Sequence, residues 1–450
     1  MSNHHIPTEL GSEKISKLLR QYAIPAIIAM TAASLYNVVD SIFIGHGVGA
    51  FAISGLAITF PFMNISAAFG TLVGVGAGTI ISVKLGQKDY ASAQKVLGNL
   101  VIFNTIIGVL FAIVALIFID PILYFFGASE QTVSYAREYM QIILFGNVIT
   151  HLYFGLNNVL RSSGHPRKAM MLTITTVVLN TVLDPVFIFV FNWGIQGAAI
   201  ATVLSQLIAL VWQMKIFNNK NELLHLHKSI YKVDVRIAKD MFAIGLSPFL
   251  MNVASCFIVI LINNGLKTHS GDLAIGAFGI VNRFSFMFVM IVMGLNQGMQ
   301  PIAGYNYGAG NNARVLDVLR LTLIFATIVT TTSFFIGEFF PAWVARAFTS
   351  DEALIDLSVF GLRIAVMLFP LIGAQIVIAT FFQSIGMAGK SILLSLTRQV
   401  IVLIPCLIIL PKFFGVTGVW ASMPVSDFVA CAVSTTLIFK QIRKFKSEQI

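Results

Sequence analysis

The sequence predicts an all-α membrane protein, with twelve transmembrane helices arranged as two parallel-repeat six-helix lobes around a central cleft. Three observations carry that reading. The first is composition: of 450 residues, 57% are hydrophobic and 11% charged, with a mean hydropathy of +0.86, which is more apolar surface than one soluble core can bury. The second is a series of apolar stretches, each long enough to cross about 30 Å of hydrocarbon. The third is an internal repeat at an offset of about 222 residues. Gly74-Val-Gly-Ala-Gly-Thr-Ile-Ile-Ser-Val-Lys-Leu-Gly86 returns as Asn296-Gln-Gly-Met-Gln-Pro-Ile-Ala-Gly-Tyr-Asn-Tyr-Gly308, Gly164 and Lys168 as Gly386 and Lys390, and, one residue closer, Gly194 and Gly197 as Gly415 and Gly418.

Taken in order, the spans fall near 22–44, 51–83, 97–119, 136–160, 169–191 and 195–216, then near 238–263, 272–304, 316–337, 357–382, 391–410 and 415–438. An even number per half inserts both halves in the same orientation, so the repeat is related by an axis along the membrane normal. The second span of each half is longer than a bilayer requires and tilts or protrudes. This gives an N-terminal lobe over 1–218, a polar inter-lobe linker over 219–237 and a C-terminal lobe over 238–450.

The net charge of +10 invites a nucleic-acid partner, but its distribution assigns it to the membrane. With the N-terminus inside, the inner face gathers Lys14, Lys17 and Arg20, the lysines of the linker region from Lys215 to Lys239, and Lys440, Arg443, Lys444 and Lys446. The opposite face receives only Arg137, Lys267, Arg346 and Lys412. That asymmetry is the positive-inside pattern, with both termini cytoplasmic and no nucleic acid involved. The basic first twenty residues precede a span too long for a signal-peptide core. Cys256, Cys406 and Cys431 sit in apolar runs and read as packing residues rather than a disulfide framework. His225 and His227 in the linker lack further metal ligands at useful spacing and read as solvated.

Ionisable groups within a span are costly, so each is a functional candidate. Six stand out: Asp40, Asp184, Arg283, Arg363, Arg398 and Asp427. Asp427 on the last span and Arg398 on the one before it read as a structural ion pair. Asp40 and Asp184 lie in spans entering from the inside and reach roughly 22 to 27 Å up at 1.5 Å per residue, so they can share one cavity. Asn180 precedes Asp184 by one helical turn on the same face. Pro185 has no N–H to offer the carbonyl of Thr181, and Thr202 descends to the same level. Together they form an all-oxygen nest for a proton or a small hard cation such as Na⁺. Carried across the repeat, Asp40 falls on or beside Asn263, Asn180 on Val402, Asp184 on Cys406 and Thr202 on Met423. The acidic nest belongs to the first half alone.

Three segments resemble one family. Tyr36-Asn-Val-Val-Asp-Ser-Ile-Phe-Ile-Gly45, Asn180-Thr-Val-Leu-Asp-Pro-Val-Phe-Ile-Phe189 and Gly294 to Gly308 look like the multidrug and toxic compound extrusion (MATE) transporters, in their DinF-like and MepA-like bacterial branch. The resemblance runs from about residue 15 to 440. It implies antiport of small organic cations against H⁺ or Na⁺ across the bacterial cytoplasmic (inner) membrane, with no cofactor beyond the coupling ion, by a monomer whose other partners are membrane lipids. The family's cation site maps onto Asp40, Asn180, Asp184 and Thr202, with Tyr36, Tyr139 and Asn157 as cavity liners. Another branch carries acids in the seventh and tenth spans. Here residues 241–271 contain none and the tenth has Asp356 only at its edge, which turns attention to the first lobe.

Two other classes deserve comparison. An intramembrane enzyme needs a nucleophile with a base, or metal ligands, at depth; His151 is the one deep histidine, and neither Gly-x-Ser-x-Gly nor His-Glu-x-x-His occurs. A flippase for a lipid-linked precursor needs a basic cavity, which Arg283, Arg363 and Arg398 could furnish. One-sided acids in a six-plus-six repeat fit alternating access by an ion-coupled exporter better.

Overall fold

The computed structural model describes residues 7–448, apart from the side chains at 37, 38, 50 and 272. Its described residues are mostly helical, as long apolar segments require where lipid offers no hydrogen bonds to the backbone. The first six spans are Ile15–Gly47, Ala50–Gly86, Tyr90–Ile117, the pair Val133–Phe145 and Asn147–Ser162, Pro166–Pro185 with a π-helical turn Val186–Val190, and Gly194–Phe217. The next four are Val235–Ser270, Asp272–Gly308, Asn312–Phe339 and the pair Glu352–Val366 and Phe369–Ser384. The last apolar stretch, Ala388–Ser447, is broken at Gly415, whose backbone is left-handed at φ 56°, and so supplies the eleventh and twelfth. Phe145, Trp343 and Phe413 are 77%, 77% and 76% exposed, surfaces that suit lipid rather than water. None of the three cysteines forms a disulfide among the described residues, and each is partly exposed, less enclosed than packing residues would be.

The repeat in the sequence is a repeat of backbone geometry. Gly164 (φ 96°) matches Gly386 (φ 76°), and Gly194 (φ 55°) matches Gly415 (φ 56°). The fourth and tenth spans bend alike, by 56° and 52°. In the loop after the second span, Lys88 takes φ 59° and Asp89 caps the next helix by accepting from Ser92 N at 3.1 Å. In the loop after the eighth, Gly310 takes φ 72° and Asn311 caps by accepting from Arg314 N at 3.4 Å. Asp and Asn serve equally as N-caps, and glycine is at home where lysine is strained.

Two compact units result, divided within long helices rather than at the linker. The first contains Ile28–Phe249 and the short helix before Ser12; the second contains Glu13–Ile27 and Leu250 onward. The repeated glycines give the reason. In the first unit a Cβ at Gly76 would collide with the carbonyl of Met241, and one at Gly245 with that of Leu72, so the second span and the start of the seventh touch backbone to backbone. Phe69 on Phe249 and Phe103 on Phe242, with centroids 4.7 and 5.3 Å apart, extend that contact. In the second unit, a Cβ at Gly298, the repeat counterpart of Gly76, would lie 2.6 Å from Ala23 Cα, and one at Gly294 2.7 Å from Ile27 Cα. The start of each half's first span thus belongs to the other unit.

Candidate functional site: a buried carboxylate pair

The first unit assembles a polar nest from four spans. Asn180 and Asp184 share a face of the fifth, and the Asn180 amide donates from Nδ2 both to Asp184 Oδ1 at 3.3 Å and to Thr202 Oγ1, on the sixth, at 3.1 Å. The Tyr36 hydroxyl, on the first span, lies 3.5 Å from the same Thr202 oxygen. Tyr139, from the fourth, lies near Thr202 and both carboxylates. Asp40 and Asp184 are neighbours in the nest. Tyr139 is anchored in an apolar cluster with Ile44, Ile188, Ile195, Ala198 and Ala199, which fixes the walls of the nest. The π-turn after Pro185 starts directly beyond Asp184.

Three oxygens decide the character of this site. Asp40 Oδ1, Asp184 Oδ2 and Asn180 Oδ1 are buried and have no hydrogen-bond partner. Asp40 is 5% exposed and Asp184 fully buried, and no basic side chain among the described residues compensates either carboxylate. Buried acceptors left open in this way are costly and uncommon in a folded protein.

Of the residues singled out in sequence, Tyr36, Asp40, Tyr139, Asn180, Asp184 and Thr202 come together. Asn157 does not join them. Its amide donates to Ala169 O at 3.1 Å and Thr173 Oγ1 at 3.5 Å, and its carbonyl accepts from Arg161 at 3.4 Å. Its partners Ala169 and Thr173 lie about three to four turns before Asp184 along the fifth span, which sets Asn157 well below the level of the nest. His151 is sealed among the second and fourth spans, with Ser66 Oγ 3.4 Å from its Nε2.

The second unit has no acidic counterpart to the nest. Asn263, Val402, Cys406 and Met423 occupy the corresponding repeat positions. Its charged feature is the ion pair anticipated from sequence: Arg398 Nε donates to Asp427 Oδ1 at 2.7 Å, and Asp427 is 4% exposed. Arg398 starts from a π-helical segment, Thr397–Leu403, where Gln399 also donates to Ser255 Oγ at 3.0 Å. The arginine is therefore neutralised and is not offered to an anionic headgroup.

The linker makes contacts that sequence reasoning missed. The Asn99 amide donates to Lys232 O and accepts from Asp234 N, at 3.1 and 2.9 Å, and Gln94 pairs with both backbone groups of His225. Glu222 accepts from His165 and Lys168, each at 2.8 Å. Burial pushes the Glu222 carboxyl up, but those two partners outweigh it and hold it below the ordinary glutamate range. Among the described residues no group of three or more His, Cys, Asp or Glu could hold a metal ion.

A MatE family model matches residues 25–186 and again 243–408, once in each half. The chain belongs to the MATE family of transporters. Among its relatives is the multidrug export protein MepA of Staphylococcus haemolyticus, 28% identical over 425 residues, covering 94% of this chain and 93% of that protein. MepA of Staphylococcus aureus is likewise 28% identical over 429 residues, covering 95% and 94%. Solved structures with the same fold include an outward-facing multidrug resistance MATE family transporter of the MOP superfamily, with a TM-score of 0.92, 24% identity and coverage of 98% and 99%. A MATE in its bent conformation superposes equally, at a TM-score of 0.92 with 99% of each chain covered.

Proposed function

We propose that this MATE-family protein is a multidrug exporter of the bacterial cytoplasmic membrane, an antiporter that expels organic cations in exchange for H⁺ or Na⁺. The observation that carries the reading is the buried pair Asp40 and Asp184 with an open oxygen on each. Two carboxylates at this range in a dry site repel each other strongly unless a proton or a cation stands between them. Such a site has two competing occupants. With the acids ionised, an organic cation finds negative charge beside the aromatic faces of Tyr36 and Tyr139. When a proton or Na⁺ arrives from outside, the charge is neutralised and the drug is released. In this scheme Asn180 and Thr202 fix the carboxylate geometry. The two acids act as one coupled unit, so neither has a protonation step of its own.

The positive-inside pattern supports cytoplasmic termini, with lobes over 1–218 and 238–450 moving by alternating access about a site placed in the first. Transport by a monomer is consistent with a nest completed by one chain. The test is efflux of a fluorescent organic cation from inverted vesicles, with proton and sodium gradients imposed separately. Asp184→Asn, nearly isosteric, abolishes gradient-driven efflux; Asp40→Asn does the same; and the double variant loses little more than either, because residues acting as a unit are not additive. Wild-type efflux by a well-expressed Asp184→Asn variant refutes the assignment.

A further inference from the structure

A line of hydroxyls leads from the nest toward the inner end of the first unit. On the nest-facing side of the fifth span, Thr176 lies one turn N-terminal to Asn180, about 6 Å along the axis. Thr176 Oγ1 is 3.4 Å from the Tyr153 hydroxyl, which is 3.5 Å from Thr173 Oγ1. The Thr173 hydroxyl meets the Asn157 amide at 3.5 Å, and the Asn157 carbonyl accepts from Arg161 Nη2 at 3.4 Å. The file is held in place from behind: Gln213, fully buried, donates to Tyr153 O at 3.1 Å. Tyr153 itself is only 4% exposed, so its hydroxyl is not placed to hydrate the surface.

We propose that the file Thr176–Tyr153–Thr173 is the inner exit for a proton leaving the Asp40–Asp184 pair, and that Arg161 is its electrostatic stop. The proposal rests on the acidic pair being the coupling site and selects the proton as the ion that takes this route. A hydroxyl accepts a proton on one lone pair while releasing its own on the other side. One proton therefore leaves the carboxylic acid, one appears in the inner water, the carboxylate is restored and each hydroxyl ends with the number of protons it had. The route requires one water across the single turn between Asn180 and Thr176. Hard metal cations need several oxygens converging on one point, and hydroxyls in single file do not offer them. The guanidinium, also bound to Asn158 Oδ1 at 3.5 Å, places positive charge where an excess proton would emerge and so opposes leakage when no drug moves. The charged and titratable groups along the route are Asp40, Asp184, Tyr36, Tyr139, Tyr153 and Arg161.

The experiment uses the full-length protein in proteoliposomes with a pH-sensitive dye inside, alongside equilibrium binding of a fluorescent organic cation. Tyr153→Phe removes one hydroxyl at almost constant volume. It is expected to lower proton-coupled turnover by about tenfold or more while leaving cation affinity, and the weakening of that affinity by acid, within twofold of wild type. Arg161→Gln is expected to raise drug-independent proton flux several-fold, and adding Tyr153→Phe to it abolishes that leak, which a purely structural role for either residue would not do. Thr176→Val provides the same interruption should Tyr153→Phe fail to fold. Unchanged turnover in Tyr153→Phe, loss of cation binding in it, or a leak that survives the double change each overturns the exit. Failure of the underlying reading has a different signature: Asp184→Asn would then bind the cation with its acid sensitivity intact.

Discussion

Asp427 and Asp184 are both buried aspartates within spans, yet the same substitution should affect them in opposite ways. Asp427 is 4% exposed and receives Arg398 Nε at 2.7 Å, while the arginine side chain is 26% exposed. Asp427→Asn removes the negative charge and leaves a guanidinium largely enclosed. Breaking a buried pair at one partner costs about 3–5 kcal/mol. The amide oxygen still accepts one hydrogen bond and Arg398 keeps some access to its surroundings, so about 2–3 kcal/mol is the expected loss. For a chain of this size each kcal/mol moves the melting midpoint by roughly 1–2 °C, which predicts a fall of roughly 2–6 °C in detergent. Asp184 has no basic partner to strand, and its open Oδ2 gains nothing from being charged, so Asp184→Asn should melt within about 1 °C of wild type or above it. Paired melting curves and dye efflux on the same preparations decide the matter. The Asp427→Asn, Arg398→Gln double variant should recover part of the stability, because a neutral pair leaves no unpaired charge. Normal melting of Asp427→Asn with lost efflux would refute the structural assignment and place Asp427 in the transport machinery.

Other perturbations follow from the geometry outside the nest. Lys88, exposed and left-handed at φ 59°, should accept glycine with a gain of about 0.5–1 kcal/mol, whereas Gly310→Ala at the repeat counterpart should lose a similar amount; thermal melting of both checks the pair. Glu222 should clamp the linker in a pH-dependent way. Its folded carboxyl lies below the ordinary range, so its contribution is fully present above about pH 4.3 and is lost as the pH falls through the lower folded value. Hydrogen exchange over residues 219–234 should rise in that acidic window in the wild type. In Glu222→Gln it should be high already at neutral pH, and protection there equal to wild type would remove the clamp.

The fold was largely legible because lipid restricts the chain to helices and the two halves repeat each other. Span order follows from runs of apolar residues, and the offset of 222 carries over to backbone angles, as at Gly164 and Gly386. What the repeat could not convey was which unit a helix belongs to. Gly76 and Gly298 stand out in sequence as a shared motif, but the backbone each one meets, at Met241 or Ala23, lies far away along the chain. The nest was legible for a different reason. Carboxylates are so costly in a bilayer that Asp40 and Asp184 draw attention individually, and helical spacing places Asn180 with them.

The hydroxyl file was invisible for the complementary reason. Threonine and tyrosine are common in membrane helices, and threonine often bonds to the turn before it, as Thr173 and Thr176 also do, to Ala169 O and Leu172 O at 3.2 and 2.9 Å. Nothing in their spacing reveals that Tyr153 joins them from another span. The same reasoning separates Asn157 from the nest it was expected to line. An asparagine has no cost high enough to fix its depth, and its partners Ala169 and Thr173 place it with the file rather than with the acids. If charge is confined to the upper site and neutral hydroxyls continue below it, the two tasks of a coupled transporter are divided by chemistry: the acids hold the ion long enough to release a drug, and the hydroxyls let a proton go without holding it at all.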